Sequence, residues 1–151
     1  MDELVKLLDG NLRYVSHEIN GDILFLHVVS TRREADCPYC GQPSSRVHSV
    51  YTRNFQDLPI QDKKVTVVIG NRKMFCDNPV CKKTTFAEKF SFLASKSKKS
   101  ERLINRITDV SLNVSSVTAA ALLRNGVVDV GKSTICAILK KTGPRLHRKK
   151  T

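Results

Sequence analysis

The chain has 151 residues, 40% of them hydrophobic, which is enough for a folded core and for one ordinary domain or two small ones. No apolar run approaches the roughly 18 residues of a membrane-spanning helix, and no secretory leader opens the sequence, so a reducing cytosol is expected and a disulfide-stapled scaffold is not. Formal net charge is +12, unevenly spread: residues 1–90 hold 13 Lys/Arg against 11 Asp/Glu, and residues 91–151 hold 13 against 3. A basic field concentrated in one part of a chain attracts polyanions, nucleic acid first among them.

Apolar residues at 4, 5, 7 and 8 predict a short helix over Asp2–Leu8, ended by Gly10. Leu12–Ile19 and Ile23–Val29 flank Asn20-Gly21, a two-residue turn signal, and so predict a hairpin. Further strands are expected at Val47–Tyr51 and Val65–Ile69, then a turn at Gly70-Asn71, then Lys73–Phe75.

Two cysteine pairs interleave with these strands. Cys37-Pro38-Tyr39-Cys40-Gly41 is answered by Cys76-Asp77-Asn78-Pro79-Val80-Cys81, each pair on a turn-forming stretch that can aim both sulfurs one way. Four thiolates so disposed predict one tetrahedral Zn²⁺ held by Cys37, Cys40, Cys76 and Cys81. With all four positions taken by protein, the role is structural. Two disulfides, or four unrelated buried thiols, are the competing explanations. A disulfide oxidoreductase is disfavoured because no helix follows Cys37-Pro38-Tyr39-Cys40 to depress a thiol pKa. His48 is a rival ligand, and Cys136, inside a helical pattern, is expected to pack. A small ribbon has little core of its own, so loss of any one ligand is expected to unfold it.

Residues 91–100 become Ser/Lys-rich, as a linker does. Beyond them Ser100 can cap a helix whose Leu103, Ile104, Ile107 and Val110 repeat at helical spacing. Ser116 can cap a second helix carrying Val117, Ala120, Ala121 and Leu122. After Asn125-Gly126, a third helix is predicted over Lys132–Lys141 with Ile135, Ile138 and Leu139 as its core stripe. The expected fold class is α+β: a small β-rich zinc ribbon followed by an all-α three-helix helix-turn-helix module. The expected divisions are 1–90 (ribbon with helix and hairpin), 91–100 (linker), 101–142 (helix-turn-helix) and 143–151 (basic tail).

The third helix turns Lys132, Ser133, Thr134, Ala137, Lys140 and Lys141 away from its core stripe, a face that could enter a major groove, with lysines on phosphates. Arg145, Arg148, Lys149 and Lys150 in the tail add a basic arm. A solvated helix face is the bland alternative. Gly126–Ser133 also satisfies the literal phosphate-loop pattern GxxxxGK[ST]. Its first glycine ends a helix instead of leaving a buried strand, so no nucleotide is expected.

The order Cys37-Pro38-Tyr39-Cys40-Gly41, Arg46–Tyr51, Asp57–Ile60, Arg72–Cys76 and Cys81–Glu88 resembles the N-terminal zinc finger of the ISL3-family bacterial transposases. The basic helices resemble the helix-turn-helix that follows it in that family, and the likeness spans about residues 5–141. The resemblance implies the four cysteines as zinc ligands and double-stranded DNA, at the terminal inverted repeats of an insertion element, as the partner. A second copy, or a full-length transposase, would be the protein partner. The setting it implies is a bacterial, nucleoid-associated cytoplasm, with no membrane. The family's RNase H-like domain needs three separated carboxylates, whereas Asp109 and Asp129 are the only acids after Glu101. The chain is therefore expected to bind DNA without cutting it, as a truncated transposase, an excised N-terminal piece or a stand-alone descendant. A transcriptional regulator and a zinc-ribbon protein-interaction module are the alternatives from other classes.

Overall fold

The computed structural model describes residues 1–149, with side chains through Lys141. Its architecture follows from alternation. In Ile23–Ser30 (β2) the side chains of Leu24, Leu26 and Val28 are buried, and in Lys63–Phe75 (β6) those of Val65, Val67 and Ile69 are, each at the period of two that puts them on one face. These two strands pair in parallel, from Ile23↔Lys64 to Val28↔Ile69. Leu12–Asn20 (β1) adds antiparallel to β2 through the Gly21 turn, and Val47–Ile60 (β5) adds antiparallel to β6, giving the order β1-β2-β6-β5. Thr85–Ala87 comes back antiparallel onto the far end of β6, at Lys73–Phe75. A separate two-residue ladder, Ala35–Asp36 (β3) with Pro43–Ser44 (β4), frames the first cysteine pair. Thr85–Ala87 is β7.

A short helix, Asp2–Lys6 (α1), and the stretch 90–93 cover the buried face. Val5, Phe90, Phe92 and Leu93 close over Leu24, Leu26, Phe55, Val67 and Ile69, and Phe90 stacks on Phe92 with ring centroids 5.1 Å apart. Three further helices, Glu101–Ser111 (α2), Ser116–Arg124 (α3) and Lys132–Lys149 (α4), share a second core of Leu103, Ile107, Ala119, Ala120, Leu123, Val128, Val130 and Ile135. Ser100 caps α2 through Leu103 N–H, and Ser115, one residue before the expected Ser116, caps α3 through Thr118 N–H.

The expected fold class, a small ribbon followed by an all-α module, is therefore corrected. Most strand residues belong to one five-stranded mixed sheet with its own hydrophobic core, and the cysteines are an appendage at one end of it. Among the described residues there are four helices, one of them on the sheet. Two local misreadings led there. Gly70-Asn71 is no turn: β6 runs straight through it, because the fully buried Asn71 donates from Nδ2 to the Glu88 carbonyl at 3.2 Å and so ties the strand to the segment after β7. The strand expected over Val47–Tyr51 runs on to Ile60, its register shifting around Leu58-Pro59, a place where a ladder tolerates proline.

Two side chains at this end of β5 reach the helices. Leu58 packs into the helical core, and Asp57 accepts from Ser100 Oγ at 2.7 Å and from both Arg102 Nε (2.8 Å) and Nη2 (2.5 Å). Residues 91–100 lie along the sheet: Gln56 N–H donates to Lys98 O at 2.8 Å and Ser100 N–H to Gln56 O at 2.9 Å.

The turn joining β5 to β6 is Gln61-Asp62, with φ of 50° and 60° and Ile60 paired to Lys63. Two left-handed residues make the tight turn whose twist suits a hairpin, but neither is the Asn-Gly that relieves the side-chain clash. Replacing Gln61→Asn together with Asp62→Gly should stabilise the protein by about 1 kcal/mol. The urea midpoint is expected to rise with an unchanged slope; an unchanged midpoint would mean the turn carries no such strain.

Candidate metal centre

Three pieces of backbone bring the cysteines together. The β3–β4 ladder turns back at Cys37–Cys40, where the Gly41 N–H donates to Cys37 O (2.7 Å) and the Cys37 N–H to Gln42 O (2.9 Å). Gly41 sits at φ +79°, a conformation that side chains resist. Cys76 continues from the end of β6 and its N–H donates to Thr84 O at 2.9 Å. Cys81 closes a turn in which Asn78 Oδ1 accepts from the Val80 N–H (3.2 Å) and Asn78 O from the Cys81 N–H (3.1 Å). Ala35, Met74 and Phe86 back the group with a small apolar core.

The four sulfurs lie within 4.8 Å of one another, and no pair is bonded. Cys37 Sγ is 3.9 Å from Cys81 Sγ, and Cys40 Sγ is 3.5 Å from Cys76 Sγ. Zn–S bonds of about 2.3 Å in a tetrahedron put sulfurs roughly 3.8 Å apart, so these separations fit one zinc ion. They exclude two disulfides. Cys37, Cys40, Cys76 and Cys81 thus form the site of one structural Zn²⁺.

The ligands differ in how readily they ionise. The Gln42 N–H holds the Cys40 thiol down to about 7. For Cys76 the Asn78 N–H favours the thiolate, but burial and the adjoining sulfurs of Cys40, Cys37 and Cys81 push the thiol up to about 12. Four thiols this close cannot all ionise in one another's company; a divalent cation supplies the missing charge. Around them Arg46 Nε pairs with Asp77 at 2.7 Å and the Arg46 guanidinium lies 4.8 Å from the centre of the Phe75 ring.

His48 is no part of the cluster. Its ring meets Phe75 edge-on at 5.0 Å and its Nδ1 lies 2.9 Å from Ser49 Oγ. Cys136 is half-buried and its thiol donates to Ser116 Oγ at 3.6 Å, joining α4 to α3. The supporting Gln42 and Asn78 were absent from the expected site; each follows a ligand cysteine by two residues, the spacing at which a turn N–H can reach back.

Lys132, Ser133, Thr134, Ala137, Lys140 and Lys141 are all exposed on α4, while Ile135 is buried and Ile138 and Leu139 partly so. Arg145, Arg148 and Lys149 fall on the backbone of α4 with side chains outside the described residues, and Lys150 lies outside them altogether. The stretch 126–131, which mimics a phosphate loop, leaves the end of α3 and buries Val128 and Val130 among the helices.

Residues 33–81 match the family model described as the zinc-finger of transposase IS204/IS1001/IS1096/IS1165, a span that contains all four ligands and about a third of the chain. Neither the curated proteins nor the solved structures give a match.

The structure revises what metal loss should do. Because the sheet and the helices have cores that share no residue with the cysteine cluster, Cys76→Ser should abolish zinc binding and loosen only residues near 33–46 and 76–87. Amide exchange would show this as lost protection there with β2 and α2 still protected; global unfolding would restore the view that the metal holds the whole fold. Zinc binding at neutral pH should also release protons, Cys76 being protonated there. Below about pH 7, where Cys40 too is protonated, apparent affinity should fall more steeply, as a chelator competition across pH would read.

Proposed function

We propose that these residues are the DNA-reading segment of a transposase of this zinc-finger type, binding terminal inverted repeats and not themselves cutting DNA. The observation that carries the proposal is the four-cysteine centre falling within the matched transposase zinc finger, on a chain whose residues 91–151 hold 13 Lys/Arg against 3 Asp/Glu. In this proposal α3 and α4 act as a helix-turn-helix pair within 101–142, with α4 as the reading helix. Lys132 and Ser133 stand at its start, where recognition helices reach base edges, and Lys140 further along on phosphate. The basic residues Arg145, Arg148, Lys149 and Lys150 extend the same positive surface in sequence. Of the acids after residue 101, Asp129 is paired with Lys64 at 2.6 Å and Asp109 lies on α2. The setting we propose is the bacterial nucleoid.

A second possibility, a protein-interaction module, draws on the β1–β2 hairpin, whose Val15 and Ile19 are 51% and 60% exposed. A transcriptional regulator would use the same helix at promoter sites.

The test is mobility shift of the zinc-loaded chain on terminal repeats of an insertion element of this type against scrambled DNA, with salt concentration fixed. Preference for the repeats is expected. Ser133→Ala, which removes one neutral hydrogen bond to a base edge, should shrink that preference by about 0.5–1.5 kcal/mol, and Lys140→Ala should weaken both duplexes alike. Equal binding to both DNAs by the unaltered chain would overturn terminal-repeat recognition.

A further inference from the structure

Residues 97–99 are fixed beside β5 more firmly than their composition suggests. Besides the two backbone bonds to Gln56, Arg53 Nη2 donates to Ala94 O (2.6 Å) and Ser97 O (3.0 Å). Ser97 Oγ donates to Lys99 O (2.8 Å) and accepts from Lys99 N–H (3.2 Å). Two lysines are thus carried on a rigid strip. Across from it stands the exposed face of α4, and between the two runs a groove of about 230 Å³ with Lys98 and Lys99 on one wall, Thr134, Ala137 and Lys141 on the other, and Ile104 beneath.

The groove is positive on both walls and has no acid. Among the described residues no carboxylate pairs with Lys98, Lys99 or Lys141, and residues 142–151 contain no Asp or Glu that could do so. Partial burial, with the charge of Lys98 adding to it, already lowers the pKa of Lys99. An arriving anion would relieve that cost. The small Ala137 leaves the groove open, and the Thr134 hydroxyl offers a donor that carries no charge.

We infer that this groove seats the sugar–phosphate backbone of duplex DNA, gripped by Lys98 and Lys99 from the sheet side and by Lys141 and the Thr134 hydroxyl from α4. The inference rests on the DNA-binding function proposed above and names the place where one strand lies. Ammonium groups are point charges without the forked geometry that distinguishes bases, so the contact adds affinity and orientation, not sequence preference. It also means that DNA bridges the sheet and the helices, instead of touching the helices alone.

The experiment uses the full zinc-loaded chain, repeat-bearing and scrambled duplexes, and a series of KCl concentrations. Each phosphate contact releases counterions and contributes about 0.9 to the slope of log affinity against log salt. Lys98→Ala with Lys99→Ala should lower the slope by about two, and Lys141→Ala by about one, with the ratio between duplexes unchanged. Lys6→Ala with Arg13→Ala removes equal charge beside the opposite edge of the sheet and should leave the slope unaltered. Lys98→Arg with Lys99→Arg should keep it. If the unaltered chain binds no duplex, both the function and the groove are overturned. If it binds but the Lys98/Lys99 and Lys141 variants match the control pair, the groove alone is overturned and DNA binding stands.

Discussion

From Val47↔Met74 to Ile60↔Lys63 the β5–β6 ladder spans most of both strands, and the other parts of the molecule attach to it. β2 joins β6 along Lys64–Ile69, and β7 joins it beyond, at Lys73–Phe75. Cys76 is the residue that follows β6, so the metal centre begins where the ladder ends. At the other extreme, beside the register shift at Leu58-Pro59, Leu58 and Asp57 reach the helices. About ten residues of extended chain between these points put the metal and the helical core on the order of 30 Å apart. The ladder joins them, yet neither shares a core with the other.

Besides Leu58, which packs into the helical core, polar contacts join sheet to helices. Asp57, nearly buried, receives Ser100 and Arg102 and so reinforces the cap of α2. Lys64 reaches Asp129 in the connection between α3 and α4 at 2.6 Å, an arrangement that keeps the Lys64 ammonium charged to higher pH, chiefly through that hydrogen bond. Gly126, at φ +82°, brings the same connection close to the carbonyl of Asp62 in the hairpin turn. These links orient the helices while most of the apolar burial stays within each cluster.

Much of this was legible in the residues. The thiol spacing named the four ligands, Asn20-Gly21 pointed to the first hairpin, whose turn residues are Gly21-Asp22, and helical repeats placed α2, α3 and the start of α4. The expected stripe of α3 was misplaced: Val117, Ala121 and Leu122 are exposed, and Ala119, Ala120 and Leu123 are the residues it buries. What failed was reach. Asn71 and Gly70 are turn formers by local preference, and only a partner 17 residues away, the Glu88 carbonyl, makes Asn71 a buried strand residue. The parallel pairing of β2 with β6 joins residues about forty apart, and no local pattern encodes it. The stretch 91–100 reads as a linker because its lysines and serines are polar, whereas Phe92 and Leu93 within it, and Phe90 just before it, are anchored in the sheet core.

The 35 residues between Cys40 and Cys76 look like an insertion into a zinc finger, but they are mostly the two strands of the ladder itself. A slip of one residue between those strands would carry Cys76 about 3.3 Å along and turn its side chain to the opposite face. Four sulfurs could then no longer surround one ion. The metal therefore discriminates among misaligned hairpins during folding: only the correctly aligned chain can capture zinc, and once captured it removes the slipped alternatives from the ensemble.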